Sequence, residues 1–464
     1  MKTTVLVLGA LSSLSFTAAF PAFPGNLFGR AKATATATSS HSAPPTKSHP
    51  TSQAHTSFHG TPTITGALTA SSIGSGISSG KIAPSATTYP SDGKLHNAEP
   101  APYVPAGGVG TNGTIPVYNA KSDFDYESLA LALYQEWIEL DLFQDGLKRF
   151  SEKDFKAAGL KSQDRELIAF MAQQEVGHAT MLSNILGAQA PQQCSYVYPY
   201  TTVQEFIDFS QKVTRFGESG VYGFLPHLDS REAAALLTQS ITTEARQQMI
   251  FRQFQGLHPM PVWFEAGVPQ SWAWTLLAPY ISSCPSNQTR LVWQNFPGLK
   301  ILNQPSLSTA GGGGNNTASN NTLGAGTNVV KGQKNPGSSD CGATVTPKKY
   351  TQLSFPGRRV SLQWDAPGQP IGPNNSYVTS TQAGKAKYVA WVSQLNVTYS
   401  PLRINGNSSR GYTTQPDLET YQGDPAINGT VFIAITDSNP FLTPFNISLI
   451  NPHVVAGPAL FQAG

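Results

Sequence analysis

Acidic residues in three segments of the sequence could bind a metal ion. Glu175-x-x-His178 places a carboxylate and an imidazole about one turn apart on one face of a helix. Glu244-x-x-Gln247 repeats this spacing with an amide in the second place, and Glu136 supplies a further carboxylate. Carboxylate and imidazole groups bind divalent metals such as iron and manganese. These residue types therefore predict a metal-binding site rather than a nucleophilic or phosphate-binding one.

The surrounding residues predict that these groups face the inside of a helix bundle. Apolar residues recur at alternating steps of four and three, which is the pattern of an inward helix face. The acidic groups take places in these apolar stripes. The apolar members are Leu129, Leu133, Leu140, Phe143 and Leu147 around Glu136; Ile168, Met171, Leu182 and Ile185 around Glu175 and His178; and Leu237, Ile241, Phe251 and Phe254 around Glu244 and Gln247. A buried carboxylate is unfavourable by several kcal/mol, so several of them together need protons, basic partners or a metal cation.

The pattern predicts four amphipathic helices, over residues 123–150, 162–187, 203–224 and 230–255. A shorter fifth helix is predicted over residues 269–281, with Trp272 and Trp274 in the core. The third helix carries Glu218, in a less regular apolar stripe. One Glu from each of two helices and Glu-x-x-His from each of the other two form the ligand set of a two-metal carboxylate site.

The predicted metal ligands are Glu136, Glu175, His178, Glu218, Glu244 and Gln247. The sequence meets the two-metal pattern except at Gln247, where a second histidine would be expected. An amide oxygen is a neutral and weak ligand, so one of the two metal positions loses affinity. We therefore expect one or two divalent ions per chain, with a single ion or an asymmetrically held pair favoured.

Some of these residues also have explanations that need no metal. Glu139 lies off the apolar stripe, and we expect it to support a ligand or to lie at the surface. Gln247 could be a hydrogen-bonding core residue, and Arg246 could pair with a carboxylate and neutralise the cluster. Glu175 and His178 could be a hydrogen-bonded pair retained in a bundle that no longer binds metal.

The remainder of the chain predicts an exported protein. Residues 1–19 have the charged start, short apolar stretch and small-residue end of a signal peptide. The apolar stretch is shorter than the ~20 residues that a membrane span needs. Residues 20–116 are rich in Ser, Thr and Pro, which predicts a disordered stalk. We expect the protein outside the cell or in the cell wall, where polysaccharides and surface proteins are the expected partners.

Glycan acceptors and cysteines agree with an oxidising, extracellular location. The three cysteines, Cys194, Cys284 and Cys341, allow one disulfide and one free thiol, and the sequence does not decide the pairing. Nine Asn-x-Ser/Thr sites are predicted to carry N-linked glycans. They are Asn112, Asn287, Asn315, Asn320, Asn374, Asn396, Asn407, Asn428 and Asn446.

Charge and composition divide the chain and exclude some partners. Only 12% of the residues are charged and the net charge is +3 with no basic cluster, which argues against nucleic acid as a partner. Residues 117–300 form the predicted helical domain, and the Gly/Asn-rich residues 301–349 form a linker. Residues 350–464 predict a small antiparallel β-sandwich, with strands at 353–355, 360–364, 388–399, 431–436 and 445–450.

Four segments carry a resemblance to a known family. They are LALYQEWIE (131–139), QEVGHA (174–179), GESGVY (217–222) and TEARQ (243–247). With them the chain resembles the ferritin-like fold of the desiccation-related kind. More closely, it resembles secreted fungal ferritin-like-domain proteins associated with stress response and late sexual development. The resemblance implies an α+β multidomain protein, in which a ferritin-like four-helix bundle with a short fifth helix precedes the β-sandwich.

The same resemblance implies iron or another divalent metal as the cofactor. Phe143 departs from it, because many such sites have a tyrosine seven residues after the first Glu. The predicted function is that of a secreted stress-response or developmental protein that binds metal in the bundle. If iron binds, oxidation of ferrous iron or removal of peroxide is the expected chemistry. The alternative is a metal-free structural glycoprotein of the cell surface with a vestigial site.

Overall fold

The computed structural model describes residue 96 and residues 119–288, 290–305, 353–406, 408–426 and 429–464. Several predictions fall outside the described residues. They are the signal peptide, nearly all of the stalk and linker, Cys341, and the acceptor sites Asn112, Asn315, Asn320, Asn407 and Asn428. Within the described residues, a group of helices precedes a region of antiparallel sheets, as the sequence predicted.

Four long helices form the bundle. They are α1 (Asp123–Arg149), α3 (Ser162–Leu186), α4 (Val203–Phe224) and α5 (Arg231–Phe254). A short helix, α2 (Glu152–Ala157), connects α1 to α3, and α6 (Gln270–Leu277) follows the bundle. The predicted four amphipathic helices and the shorter fifth one are therefore confirmed.

The helix ends form where the sequence supplies caps. The Ser122 side chain accepts a hydrogen bond from the Asp125 backbone N–H at the start of α1. The Asp125 carboxylate accepts the backbone N–H groups of Asp229 and Ser230, which fixes the start of α5 beside that of α1. Gly187, with φ of 69°, ends α3. These contacts set the register in which α1 and α5 present their inward residues.

The β region contains two four-stranded antiparallel sheets. The first has the strand order β3 (Leu299–Ile301), β4 (Arg359–Trp364), β10 (Arg410–Thr414) and β9 (Arg403–Ile404). The second has the order β12 (Val454–Gln462), β11 (Thr430–Thr436), β7 (Tyr388–Ser393) and β8 (Asn396–Pro401). Two small pairs join β1 (Ser195–Tyr196) to β2 (Ile281–Ser283) and β5 (Pro370–Ile371) to β6 (Tyr377–Val378).

Two predicted strands are wrong and a third is divided. Residues 353–355 are not a strand, because Pro356 and Gly357, which has φ of 90°, turn the chain there. Residues 445–450 enter the 3-10 helix Ile447–His453, whose spacing of three buries both Ile447 and Ile450. The run 388–399 forms β7 and β8, joined by a turn at Gln394 with φ of 49°.

Three strands of the second sheet, β7, β11 and β12, are buried on both faces. Along β11, Val431, Ile433 and Ile435 face the first sheet and form the core of the sandwich with it. The alternate residues, Phe432 and Ala434, join the core of the helical bundle instead. The helices, the second sheet and the first sheet are therefore three successive layers.

A glycine in α4 permits close approach of the segment before α6. A Cβ on Gly223 would lie 1.8 Å from the carbonyl oxygen of Val268. We expect Gly223→Ala to lower the free energy of unfolding by about 1–3 kcal/mol, because backbone must move. Gly177→Ala in α3 meets no atom within 4 Å, so it should raise that free energy by about 0.5–1 kcal/mol. Urea unfolding measures both, and effects of the same sign would contradict this packing.

Covalent and membrane-related features complete the description. A disulfide joins Cys194 to Cys284, which decides the pairing that the sequence left open. It links the segment that follows α3 to the segment that follows β2. Among the described residues, no helix combines the length and the apolar character needed to cross a bilayer.

Candidate metal centre

Glu175 and His178 lie on the inward face of α3. Glu175 is fully buried and His178 is 9% exposed. Their neighbours in the stripe, Ile168, Met171 and Leu182, are buried in the bundle core. Burial of the apolar residues therefore turns this face of α3 inward. Because Glu175 and His178 lie on the same face, they are buried as well.

Glu136 approaches them from α1. His178 Nδ1 lies 3.2 Å from Glu136 Oε2 and 2.9 Å from Glu175 Oε2. One potential ligand atom from each of these residues lies within 4.8 Å of the others, and all three residues are buried. The structure thus brings three of the predicted ligands together around one nitrogen.

Two further predicted ligands come from α5. Glu244 Oε1 lies 3.9 Å from His178 Nδ1. The Gln247 amide donates from Nε2 to Glu175 Oε1 at 2.5 Å and to Gln174 Oε1 at 3.2 Å. Its own oxygen, Oε1, is buried and has no hydrogen-bond partner among the described residues. Gln247 therefore offers a free acceptor beside the carboxylates.

Thr243 fixes the ring of His178. Its hydroxyl lies 3.0 Å from His178 Nε2 and 2.7 Å from the carbonyl oxygen of Ser240. When the hydroxyl donates to that carbonyl, it accepts a hydrogen bond from the N–H at Nε2. The proton is then held at Nε2, and Nδ1 is the nitrogen that faces the carboxylates.

Glu139 belongs to the same cluster, although its position off the apolar stripe predicted a place outside the ligand set. It is fully buried, so the surface position considered for it is wrong. Its carboxylate accepts hydrogen bonds from Gln135 Nε2 at 2.6 Å and from Thr214 Oγ1 at 3.2 Å. Gly217 permits this arrangement, since a Cβ there would lie 2.6 Å from Gln135. The signal was the spacing Glu136-x-x-Glu139, which equals that of Glu175-x-x-His178.

The cluster holds protons in the absence of a cation. Burial raises the pKa of Glu136 to about 8, in spite of the opposing charge of His178. Burial and the neighbouring carboxylates raise the pKa values of Glu139 and Glu244 well above their usual range. Burial alone would lower the pKa of His178, but the Glu136 charge and hydrogen bonds to Glu136 and Glu175 raise it instead.

Glu218, the sixth predicted ligand, occupies a different group. Its Oε2 accepts a hydrogen bond from Arg215 at 3.2 Å, and its Oε1 accepts one from the Tyr222 hydroxyl at 2.8 Å. Arg215 also pairs with Glu265 and donates to Ser219 Oγ at 2.6 Å. The guanidinium holds the Glu218 carboxylate, so the structure does not bring Glu218 into the group around His178.

The remaining residues that the sequence suggested for the site lie outside the carboxylate cluster. Arg246 is exposed and makes no ion pair with the described residues, so it does not neutralise the cluster. Trp272 and Trp274 are fully buried in the core, as predicted. Phe143 packs against Phe251 with ring centroids 5.7 Å apart. This contact leaves no hydroxyl in the place where many such sites have a tyrosine.

The fold and the carboxylate cluster define a ferritin-like domain. A model of the family described as "Ferritin-like domain" matches residues 123–257, which include α1 and α3 to α5. Protein rds1 of Schizosaccharomyces pombe is 52% identical over 367 residues, which cover 79% of this chain and 87% of that protein. The chain therefore belongs to the family of fungal ferritin-like-domain proteins that includes rds1. This confirms the fungal ferritin-like part of the predicted resemblance.

Proposed function

We propose that the bundle binds a divalent metal ion between Glu136, Glu175 and His178. The observation that carries the proposal is the convergence of these ligand atoms within 4.8 Å in a buried place. Two carboxylates and an imidazole are a donor set for iron, manganese or zinc. Glu244 and Glu139 supply further carboxylates on α5 and α1.

The charges of the cluster fit a cation. Four glutamates and one histidine are buried together, and the pKa values of three of the glutamates are raised. A divalent ion can replace the protons that the carboxyl groups otherwise hold. The unpartnered Gln247 Oε1 is a buried acceptor that a cation would satisfy. These residues fit a metal ion without a change of fold.

One strongly held ion per chain agrees best with this set. The described cluster has one imidazole, and Gln247 offers only a neutral oxygen. A second ion would depend on Glu139, Glu244 and Gln247, which lack an imidazole. Because Arg215 holds Glu218, that carboxylate is not counted among the ligands.

The residues of the chain prepare the site for binding. Thr243 orients His178 so that Nε2 keeps its proton and Nδ1 would be the nitrogen that holds an ion. Gln135 and Thr214 hold Glu139 in place. Iron in such a set would supply redox chemistry toward oxygen or peroxide. We further propose a stress-related role outside the cell, which the leader sequence and the family resemblance support.

Metal content tests the proposal. The full chain is purified, loaded with ferrous or manganous ion and washed, and the metal per chain is measured by elemental mass spectrometry. We expect about one ion in the wild type and none in the Glu175→Ala/His178→Ala variant, because two of the three central ligands are removed. Circular dichroism verifies that the variant retains its helices.

A matched control comes from the outer face of the same helix. Glu166 and Gln173 are exposed on α3, so Glu166→Ala/Gln173→Ala should keep the metal content of the wild type. Equal metal in the wild type and in the Glu175→Ala/His178→Ala variant would overturn the proposed ligands. An absence of metal uptake by the wild type would overturn the function itself.

One observation favours the alternative, a metal-free structural glycoprotein. A protonated His178 already forms hydrogen bonds with both Glu136 and Glu175, so the cluster can persist as an internal ion pair. In that case the bundle would only support the β region, and the wild type would remain free of metal in the same experiment.

A further inference from the structure

A cleft lies where the helical region meets the β region, away from the carboxylate cluster. Its volume is about 740 Å³, a size suited to a small organic ligand. Tyr198 and Pro199, from the segment between α3 and α4, line the cleft together with Pro370 and Ile371 of β5. The buried side chain of Phe296 contributes to its lining.

The polar side chains of the cleft come from the first sheet and its flanks. Lys300 is the middle residue of β3, and its neighbours Leu299 and Ile301 belong to the sandwich core. Because side chains alternate along a strand, Lys300 points away from that core and into the cleft. Asp365 follows β4, and its backbone N–H donates to the carbonyl oxygen of Gly298 at 2.9 Å.

These polar groups are free to bind a ligand. Neither Lys300 nor Asp365 forms an ion pair with another described residue, although both line the cleft. The exposed side chain of Gln369 also makes no hydrogen bond with the described residues. Together they offer a cationic donor, an anionic acceptor and an amide that both donates and accepts.

The aromatic wall is held rigid. The Tyr198 hydroxyl donates to Asp141 Oδ1 at 2.6 Å, which fixes the ring against α1. Its ring also stacks between those of Tyr196 and Tyr200, with centroid distances of 6.2 and 5.5 Å. A wall that is ordered before binding loses little conformational entropy when a ligand arrives.

We propose that this cleft binds a neutral saccharide. A sugar presents apolar C–H groups to the apolar side chains of Pro370 and Ile371, and hydroxyl groups, which both donate and accept, to polar side chains. Lys300, Asp365 and Gln369 together carry no net charge. An anionic ligand would meet Asp365 and a cationic ligand would meet Lys300, so a neutral polyhydroxyl ligand satisfies all three groups best.

Calorimetric titration of the full chain tests the proposal. The probes are soluble oligosaccharides of glucose, of N-acetylglucosamine and of mannose, each titrated separately. We expect binding of at least one of them, and an affinity lower by about tenfold or more in Lys300→Met/Asp365→Asn, since two charge-assisted hydrogen bonds are removed. Gln369→Trp, at an exposed position, should fill the cleft and abolish binding without disturbing the core.

The control variant, Lys385→Met/Glu166→Gln, changes the same charges at exposed positions outside the cleft and should bind like the wild type. Metal content should be unchanged in every cleft variant, which separates this proposal from the bundle site. A lack of binding for all three probes would overturn it. So would unchanged affinity in both cleft variants, or binding of a free amino acid in place of a saccharide.

Discussion

In the metal-free protein, the free energy of unfolding should fall as the pH rises from about 5.5 to 8. The folded state holds protons on buried carboxyl groups that the unfolded chain has already lost. The pKa of Glu136 is raised to about 8 by burial, and burial and neighbouring carboxylates raise the pKa values of Glu139 and Glu244 well above their usual range. Unfolding therefore releases protons in this window, and a higher pH favours it.

His178 contributes in the same direction. Its pKa is raised in the folded state, because its interactions with Glu136 and Glu175 overcome the effect of burial. An unfolded histidine loses its proton near pH 6.5, so above that pH the folded state again holds the additional proton. A difference of one in pKa corresponds to about 1.4 kcal/mol, so the loss between pH 5.5 and 8 should be on the order of several kcal/mol.

Urea unfolding at pH 5.5, 6.5, 7.5 and 8 in the presence of a chelator measures this dependence. Glu136→Gln removes one of the titrating groups with little change in shape, so it should make the pH dependence less steep and stabilise the metal-free protein at pH 8. Glu166→Gln, on the exposed face of α3, is the control and should keep the slope of the wild type. Rising stability from pH 5.5 to 8 in the metal-free wild type would contradict the buried cluster.

Added metal should reverse the trend in the wild type. A cation binds deprotonated ligands, so its affinity increases as the pH rises. At free metal of about 100 times Kd, binding stabilises the folded state by about 2.7 kcal/mol. Glu136→Gln should lose this stabilisation, and its melting temperature should no longer respond to metal.

The sequence predicted the helices and much of the site because the helical period is local. Residues one turn apart share a face wherever the helix packs, so Glu175 and His178 could be paired without knowledge of the fold. The surface alternative for Glu139 was wrong because an apolar stripe does not show how wide the buried face is. Gln135 and Thr214 bury it by a contact between α1 and α4, which no local pattern encodes.

Glu218 was predicted as a ligand from a local pattern, but contacts with other residues hold it in a different group. Its position on α4 met the ligand pattern, but its partner Arg215 lies one turn earlier on the same helix. That pairing was visible as an i, i+3 spacing. The contribution of Glu265, from the segment after α5, required the tertiary fold.

The β region was predicted less well because its strands have unusual surroundings. The run Val431–Thr436 within β11 alternates only loosely between apolar and polar residues. The structure explains this, since Ile433 faces the other sheet while Phe432 faces the bundle, and both faces are apolar. A strand of this kind reads as a continuous apolar run, which predicts a strand but does not show what covers each face.

Replacing Arg215 by Met should lower the free energy of unfolding by about 3–5 kcal/mol, because it breaks a buried ion pair from one side. Arg215 is 4% exposed and Glu218 is fully buried, whereas the Glu265 side chain still reaches solvent. The loss of stability therefore comes chiefly from the buried Glu218 carboxylate, which is left without its cationic partner. Its pKa is already raised to about 7 by burial, against the opposing charge of Arg215. Without the guanidinium the pKa should rise further, so the loss should be greater at pH 8 than at pH 6.

Glu218→Gln in the same chain should recover most of this loss, since the amide is neutral and still reaches the Tyr222 hydroxyl. Arg246→Met is the control: this exposed arginine has no ion pair with the described residues, and its effect should stay within about 0.5 kcal/mol. Urea unfolding of the three variants gives the energies. Equal losses in Arg215→Met and in the double variant would show that Glu218 does not carry the penalty.

Metal content tests separately whether Glu218 is a metal ligand. The Arg215→Met/Glu218→Gln variant should bind as much metal as the wild type. Loss of metal from a folded double variant would show that Glu218 is a metal ligand, and that the metal site lies between α3 and α4.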